Sequence, residues 1–516
     1  MSDFSRNSGE LNSFIRHHLP AGLDLSIYPG SLYRVNGTYF FMARRPSGDK
    51  FLYILSDRAS GGSAAPFVGD VFPTGAGVDS MSITRCPLSN ENARALRKVF
   101  PFTSPVTLGT GNSFGFGDRL GVANPGHIRA FSGAPLKPVI AQQSIRELER
   151  TGRTPEEVMD AATWAVFQEG YRGGFGADAD HLKTTDDITR MAHSGFTMFT
   201  FDPGEHVDKD AERLPVSELA IRGKLLPWDE LEDSFDGYIK RYGGRRFRVS
   251  DILTLEPDET DVVRGIVKYG KVIAHARKCA LHLEDIMGGR AHEIELSVDE
   301  TDSPTTPFEH FLIAHELGRL GVRLVSLAPR FVGDFEKGVD YRGDIRLFET
   351  EYRKHLDIAR ACGGYKLSLH SGSDKFSVYD VIGRYKDGSF HVKTAGTSYL
   401  EALRTVAAHE PSLFREILDF SRGRYDADKR SYHVSADPSK VPAAATIPDD
   451  SLLELFDQDD VRQVLHVTFG TVLTARRDDG GTLFRDRMMQ CLEEHEETHY
   501  GFLVSHFHRH IEPLVT

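Results

Sequence analysis

Residues 173–183 read GGFGADADHLK, and the assignment of the fold depends on this segment. Small residues alternate with larger ones until the segment ends in two carboxylates, an imidazole and an ammonium group. Because side chains alternate between the two faces of a strand, Gly176, Asp178 and Asp180 share one face, and His181 turns off the end. Such a strand brings acid, base and metal-ligand atoms to one point. The alternative interpretation is a polar loop that follows a strand.

From about residue 104 onward, short apolar runs alternate with helical stretches. This pattern is typical of βα units around a parallel sheet. Helices are predicted at 154–169 and 307–320, for example. The fold class expected is α/β, with a (β/α)8 TIM-like barrel. The eight predicted strands are 105–109, 138–142, 173–178, 196–201, 291–298, 322–328, 365–370 and 389–394.

The regions on either side of the barrel differ from it in composition. Two early runs, 31–44 and 51–56, are rich in aromatic and β-branched residues, and Asn36-Gly37 is a hairpin signal. The end of the chain is mostly helical in pattern. We therefore divide the chain into an N-terminal β-rich cap at 1–103, a catalytic barrel at 104–400 with an insertion at 207–271, and a C-terminal helical segment at 401–516.

The composition argues against several classes of protein. A formal net charge of −13 over 516 residues argues against nucleic acid or an anionic membrane as a partner. The four cysteines are far apart and form no CxxC pair, which argues against a disulfide framework or a cysteine zinc site. No run approaches the roughly 18 apolar residues that a membrane helix needs, and the first residues lack the apolar core of a signal peptide. We expect a cytoplasmic protein.

Polar residues follow most of the predicted strands, at the end of the barrel where active sites lie. On the fifth strand, Glu293, Glu295 and Ser297 alternate with apolar residues. Because polar side chains inside a barrel are costly unless they are paired or used, such positions are candidates for binding or catalysis. The other candidates are Ser144 after the second strand, Asp180, His181 and Lys183 after the third, His370 and Lys375 at the seventh, and His391 and Lys393 in the eighth.

Three histidines, His181, His370 and His391, lie on different predicted strands. With carboxylates nearby, they imply a divalent metal ion such as Mn²⁺, Ni²⁺ or Zn²⁺. Their convergence follows from the predicted barrel and not from their spacing in the sequence. For His391 the alternative is a packed, hydrogen-bonded structural role.

The segment GFGDRLG at 115–121 is rich in glycine but does not have the order of a dinucleotide-binding fingerprint, and no strand with the right spacing is predicted before it. We interpret it as a mobile loop over the mouth of the barrel. Its Arg119 could hold a substrate carboxylate.

A literal H-E-x-x-H pattern runs from His495 to His499, within a helix predicted at 483–499. A zinc protease is nevertheless disfavoured, because the predicted helix is acidic and polar and Phe502 stands where the extended motif needs glycine. The three following histidines are expected to form a cluster at the surface or at an interface. They are His506, His508 and His510.

Six long motifs together resemble the bacterial tagaturonate/fructuronate epimerase family. The resemblance covers roughly residues 110–470. It implies a metal-dependent epimerase of uronate breakdown with a barrel core and a small sugar acid as substrate. A homo-oligomer is compatible with it. The motifs are GFGDRLGVANPGHIRA (115–130), GFGADADHLKT (174–184), ELSVDET (295–301), LAPRFVGDFEKGVDY (327–341), KLSLHSGSDKFSVY (366–379) and HVKTAGTSYLEALR (391–404).

The same resemblance implies roles for individual residues. Asp180 is similar to the family's proton acceptor and Glu295 to its proton donor, while His181 and His370 are similar to metal ligands. Ser144 and Lys393 would be substrate contacts. A basic group would bind the substrate carboxylate, and the candidates are Arg119, Lys183 and Lys375.

Two mechanisms fit this resemblance, because tagaturonate and fructuronate are 5-keto acids that differ at C3, a carbon not acidified by the ketone. A base could deprotonate the C3 hydroxyl and start a retro-aldol cleavage. Alternatively, Asp180 and Glu295 could exchange the C3 proton from opposite faces. The alternative functions are a metal-dependent aldolase or isomerase of another keto sugar, and a sugar-acid-binding protein without catalysis.

Overall fold

The computed structural model describes residues 8–20, 22–57, 66–74 and 81–516. The described part of the first hundred residues forms an antiparallel sheet of six strands. Val35 pairs with Thr38 across a tight turn, and both turn residues, Asn36 and Gly37, have positive φ, as a type I′ hairpin requires. The elements are α1 (Ser8–His18), β1 (Ser26–Ile27), β2 (Tyr33–Val35), β3 (Thr38–Arg44), β4 (Lys50–Asp57), β5 (Asp70–Pro73), β6 (Met81–Pro87) and α2 (Asn90–Val99).

A closed barrel of eight parallel strands follows, which confirms the predicted TIM-like fold. The barrel strands and the elements between them are β7 (Ser113–Phe116), α3 (Asn124–Phe131), β8 (Lys137–Ser144), α4 (Ile145–Thr151), α5 (Pro155–Glu169), β9 (Gly176–Leu182), α6 (Thr185–His193), β10 (Met198–Phe201), α7 (Val216–Lys224), α8 (Phe235–Tyr242), β11 (Phe247–Arg248), β12 (Thr254–Leu255), α9 (Glu259–Met287), β13 (Glu293–Val298), α10 (Pro307–Arg319), β14 (Ser326–Pro329), α11 (Ile345–Ala361), β15 (Lys366–Leu369), α12 (Phe376–Arg384) and β16 (Phe390–Thr394).

The first barrel strand differs from the prediction. Residues 105–109 are not a strand, and β7 lies a few residues later, where its last two residues overlap the segment 115–121 that was interpreted as a mobile loop. The glycine of that strand has a packing reason, because a Cβ on Gly115 would come 1.8 Å from Oε1 of Gln142. Phe114 and Phe116 on the opposite face are buried in the main hydrophobic core. Each of the other seven predicted strands overlaps an observed one.

Helix boundaries follow local capping chemistry. Thr154 and Glu157 form a capping box at the start of α5, and Gly170 ends α5 in the left-handed region. Asp258 and Asp261 cap α9 in the same way. Because α9 packs against α6 and α10, it is the barrel helix that follows β10. The long connection at 207–271 therefore carries α7, α8 and a two-stranded sheet, and its last residues already belong to this barrel helix.

The C-terminal helices are α13 (Thr397–His409), α14 (Pro411–Asp428), α15 (Asp459–Val467), α16 (Phe469–Thr474), α17 (Arg485–Glu494) and α18 (Glu496–Val515). Helices α13 to α17 contribute to a second hydrophobic core. In contrast, α18 packs against α3 and α12 and buries Leu503, Phe507 and Ile511 in the barrel core. It thus occupies the place of the helix expected after the eighth strand.

The helix predicted at 483–499 is broken at His495, which caps α17 at its end and α18 at its start. The two histidines of the H-E-x-x-H pattern are therefore not on one continuous helix. Among the helices of the described residues, none has both the length and the apolar character needed to cross a membrane.

Candidate functional site

A cavity of about 560 Å³ opens at the carboxyl ends of the barrel strands. Ser144 lies at the end of β8, Asp180 and His181 at the end of β9, and Lys393 near the end of β16. His370 follows β15 directly. The predicted barrel thus brings together residues that are more than 200 positions apart in the chain.

Lys393 joins the carboxylates beneath this cavity. Its Nζ lies 2.7 Å from Oδ2 of Asp178, from Oδ1 of Asp180 and from Oε1 of Glu295. It also donates to Oγ1 of Thr200 at 2.6 Å. Burial lowers the pKa of Lys393, but the three carboxylates outweigh that effect and raise it well above its ordinary value. Lys393 was predicted as a substrate contact, but its ammonium group donates to oxygen atoms of the protein.

Glu295 is completely buried and is absent from the residues that line the cavity. Its Oε1 accepts a hydrogen bond from Nε2 of His370 at 2.7 Å, and its Oε2 accepts one from Ser326. By contrast, Asp180 lines the cavity. In this structure, Asp180 faces the space where a substrate would lie, and Glu295 supports the residues around it.

The pKa values of Asp178 and Asp180 are shifted in opposite directions. Burial raises the pKa of Asp180, but the charges of His181 and Lys393 outweigh it and hold that pKa well below its usual range. For Asp178, burial prevails over Lys393 and raises the pKa to about 6. Asp180 is therefore ionised, as a proton acceptor has to be.

Three side chains at the edge of the cavity could hold a metal ion: His181, Asp299 and His370. Each offers one ligand atom, and these atoms lie within 4.8 Å of one another. Nδ1 of His370 is buried, lies 3.4 Å from Oδ1 of Asp299, and has no hydrogen-bond partner among the described residues. Its Nε2 meets Glu295, an arrangement that fixes the ring of a metal-binding histidine.

The electrostatic surroundings of these three side chains also favour a bound cation. Burial lowers the pKa of His370, yet the negative charge of Asp299, together with the hydrogen bond to Glu295, outweighs it and raises the pKa to about 10. The surroundings thus favour positive charge strongly. His181 adopts a positive φ of 53°, which is rare for a residue with a side chain and turns it off the end of β9. Two histidines and one carboxylate are a donor set that suits a divalent transition metal.

The third predicted metal ligand, His391, does not belong to this group. Its Nδ1 lies 2.9 Å from Oγ of Ser113 inside the barrel. Burial holds the pKa of His391 well below its usual value. The structure thus gives His391 the hydrogen-bonded role that was the alternative, and Asp299, which follows β13, takes the third place.

The predicted carboxylate-binding residues lie in different surroundings. Arg119 lines the cavity, but its Nε pairs with Glu147 at 2.9 Å and its guanidinium stacks 3.6 Å above the ring of Phe469. Lys183 pairs with Glu205 and lies outside the cavity lining.

Lys375 is fully buried and also lies outside the cavity lining. Its Nζ donates to the backbone carbonyls of Glu336 at 2.7 Å and Ser373 at 3.0 Å, and also to that of Val339. Ser144 lines the cavity and caps α4 by accepting from the backbone N–H of Glu147.

The histidines of α18 correct the expectation of a surface cluster. His506 and His510 are buried and meet Asp374, and His508 alone of the three is exposed. His499 is buried too, and His495 stacks on His409 with ring centroids 3.6 Å apart. The sequence did not show this, because the packing of α18 against the barrel depends on the tertiary fold.

The chain matches one family of known proteins over most of its length. The sequence profile of the tagaturonate epimerase (UxaE) family matches residues 28–514. The tagaturonate/fructuronate epimerase of Thermotoga maritima is 40% identical over 495 residues, which cover 96% of this chain and 98% of that protein. The native crystal structure of fructuronate-tagaturonate epimerase UxaE from Cohnella laeviribosi is 39% identical, with a TM-score of 0.88, over 98% of this chain and 99% of that one.

The crystal structure of the same Cohnella laeviribosi protein with one glycerol gives a TM-score of 0.89 and 38% identity, and 99% of each chain is covered. The family profile and the Thermotoga relative both span nearly the whole chain. This chain therefore belongs to the tagaturonate/fructuronate epimerase family.

Proposed function

We propose that this protein interconverts D-tagaturonate and D-fructuronate by epimerisation at C3, with the help of a divalent metal ion. The observation that carries this proposal is the position of Asp180. It is an ionised carboxylate that lines the cavity beside His181 and rests on Lys393. Family membership supports the substrate pair, because the relatives named above bear it in their names.

Asp180 is the proton acceptor in the proposed reaction. In the retro-aldol route, Asp180 takes the proton of the C3 hydroxyl as the C3–C4 bond breaks. C3 becomes an aldehyde, and the bonding electron pair moves to C4, which becomes part of an enediolate. Rotation of the aldehyde and re-addition of C4 to its other face invert C3, and Asp180 returns the proton to the new hydroxyl. The reaction consumes no other reactant.

Lys393 has a positioning role in this scheme. Its contacts with Asp178, Asp180 and Glu295 keep three carboxylates together and hold Asp180 in its charged form. Glu295 in turn fixes Lys393 and His370. The two-base route would require Glu295 to reach C3, and its burial and hydrogen bonds favour the retro-aldol route over it.

His181, Asp299 and His370 would hold the metal ion. A divalent cation there would supply positive charge to a substrate oxygen on which negative charge develops.

The test is an NMR experiment with metal-stripped protein and tagaturonate in D₂O, before and after addition of Mn²⁺, Ni²⁺ or Zn²⁺. We expect fructuronate to appear only with metal, and its C3 to carry hydrogen and not deuterium. Deuterium at C3 would contradict the retro-aldol route and support the two-base exchange. Absence of conversion with all three ions would contradict the proposed function, and release of three-carbon fragments would indicate an aldolase.

A further inference from the structure

Five lysine and arginine side chains line the cavity, and most of them already have an acidic partner. Arg119 pairs with Glu147, Arg146 with Glu300, and Lys393 with three carboxylates. The remaining two have no carboxylate within ion-pair distance in the described part of the chain. They are Arg330 and Lys337.

Of these two, Lys337 has an ammonium group that a neighbouring hydroxyl holds at the cavity. Its Nζ donates to Oγ of Ser371 at 2.5 Å, which holds the ammonium beside the residue that follows His370. Burial lowers the pKa of Lys337. A desolvated cation without a counter-charge is costly, and an anion in the cavity would remove that cost.

His466 presents a second unsatisfied polar group to the same cavity. It is 1% exposed, and its Nδ1 has no hydrogen-bond partner among the described residues. A Cβ on Gly396 would come 1.6 Å from Nε2 of His466, so the ring fits only because this position is glycine. Gly396 caps the start of α13, whose first N–H groups carry partial positive charge.

We propose that Lys337 and His466 bind the carboxylate of the substrate. This inference rests on the proposed function, and it names the group that distinguishes a keto-uronate from a neutral ketose. A substrate bound there by its carboxylate would lie in the cavity in one orientation only. The three basic residues that the sequence suggested for this role are occupied elsewhere: Arg119 by Glu147, Lys183 by Glu205, and Lys375 by backbone carbonyls.

The first test is steady-state kinetics of wild type, Lys337→Met and Lys337→Arg with tagaturonate. We expect Lys337→Met to raise KM at least about tenfold while kcat changes less than about threefold, since a charge-assisted hydrogen bond is lost. Lys337→Arg should recover part of the affinity. Lys354→Met is the matched control, because it removes a lysine of α11 that pairs with Glu351 and lies outside the cavity, and its KM should stay within about threefold of wild type.

A binding experiment separates this inference from the proposed function. Calorimetry with galactonate, a hexonate that lacks the ketone, and with the neutral hexitol galactitol does not depend on turnover. Wild type should bind galactonate more tightly than galactitol, and Lys337→Met should weaken only galactonate, by about tenfold or more. Circular dichroism melts would confirm that the variants are folded.

Each other outcome has a definite meaning. Equal galactonate affinity in wild type and Lys337→Met, or no galactonate binding by wild type, would overturn the inference. A large effect of Arg330→Met with none from Lys337→Met would also overturn it and assign the carboxylate to Arg330. If wild type binds galactonate through Lys337 but does not convert tagaturonate, the proposed function fails and the carboxylate site stands.

Discussion

Among the described residues, two clusters combine a carboxylate with two histidines within metal-binding distance, and they differ in what surrounds them. His181, Asp299 and His370 border the cavity, and Nδ1 of His370 has no hydrogen-bond partner among the described residues. We call this group the cavity cluster. The second, which we call the α18 cluster, consists of Asp374, His506 and His510 and is fully buried.

In the α18 cluster, the ligand atoms are already engaged. Oδ1 of Asp374 lies 2.6 Å from Nε2 of His506, and its Oδ2 pairs with Arg462 at 2.7 Å. His510 accepts from the backbone N–H of Asp374 at 3.0 Å, and its Nδ1 donates to the carbonyl of His506. Residue type and distance are therefore shared by both clusters, and an unpartnered ligand atom beside a cavity distinguishes the cavity cluster.

The largest expected effect is on the reaction itself. Asp180→Asn keeps the size of the side chain but removes the proton acceptor, so kcat for tagaturonate should fall by about 10³-fold. Steady-state kinetics would measure it, and galactonate calorimetry would show whether the cavity still binds a sugar acid. A variant with kcat near that of wild type would show that Asp180 is not the base.

The next effect separates stability from activity in the α18 cluster. Asp374→Asn would leave the guanidinium of Arg462 buried beside a neutral amide and should destabilise the protein by about 3 kcal/mol. The urea midpoint would record this loss. Because Asp374 does not line the cavity, the activity of the folded fraction should stay close to that of wild type. A loss of metal from this variant would instead show that the α18 cluster binds the ion.

A smaller effect is expected on metal affinity. Asp299→Asn replaces a charged ligand of the cavity cluster by a neutral one and should weaken binding of Mn²⁺ by at least about tenfold. Equilibrium dialysis with elemental analysis would measure it. His510→Gln is the matched control from the α18 cluster, and its metal affinity should equal that of wild type. Equal affinities for wild type and Asp299→Asn would exclude Asp299 as a ligand.

The sequence predicted the barrel because apolar runs alternate with capped helices, and that pattern depends on local properties. It misplaced the first strand because β7 contains Gly115, which fits against Gln142 from a neighbouring strand. The sequence alone does not distinguish a glycine required for close packing from a glycine required for a turn. The distinction lies in a contact between residues that are distant in the chain.

The candidate site, like the fold, was predicted only in part from the sequence. Asp180, His181 and His370 meet as expected because the ends of parallel strands converge. His391 and Asp299 were both visible at strand ends, but which of them lies at the cavity depends on how far along its strand each residue sits. Lys337 and His466 had no local signal, since one lies on a loop after β14 and the other on α15.

The smallest effect uses pH to compare the clusters. Burial, which disfavours the charged imidazolium, lowers the pKa of His510 to about 3. In the unfolded chain a histidine has a pKa of about 6.5, so His510 contributes stability that is complete above that pH and is lost as the pH falls toward 3. Between pH 8 and pH 5.5, this one residue should cost about 1.4 kcal/mol of folding free energy.

The urea midpoint at pH 8 and pH 5.5 would test this for wild type and His510→Gln. The glutamine variant should be less stable at pH 8 but lose less stability on acidification, by the amount that one histidine contributes. Other buried histidines, such as His127 and His355, have similarly lowered pKa values and affect both proteins equally. An identical pH dependence in the two proteins would mean that His510 takes up a proton in the folded state, and the α18 cluster would then tolerate charge as the cavity cluster does.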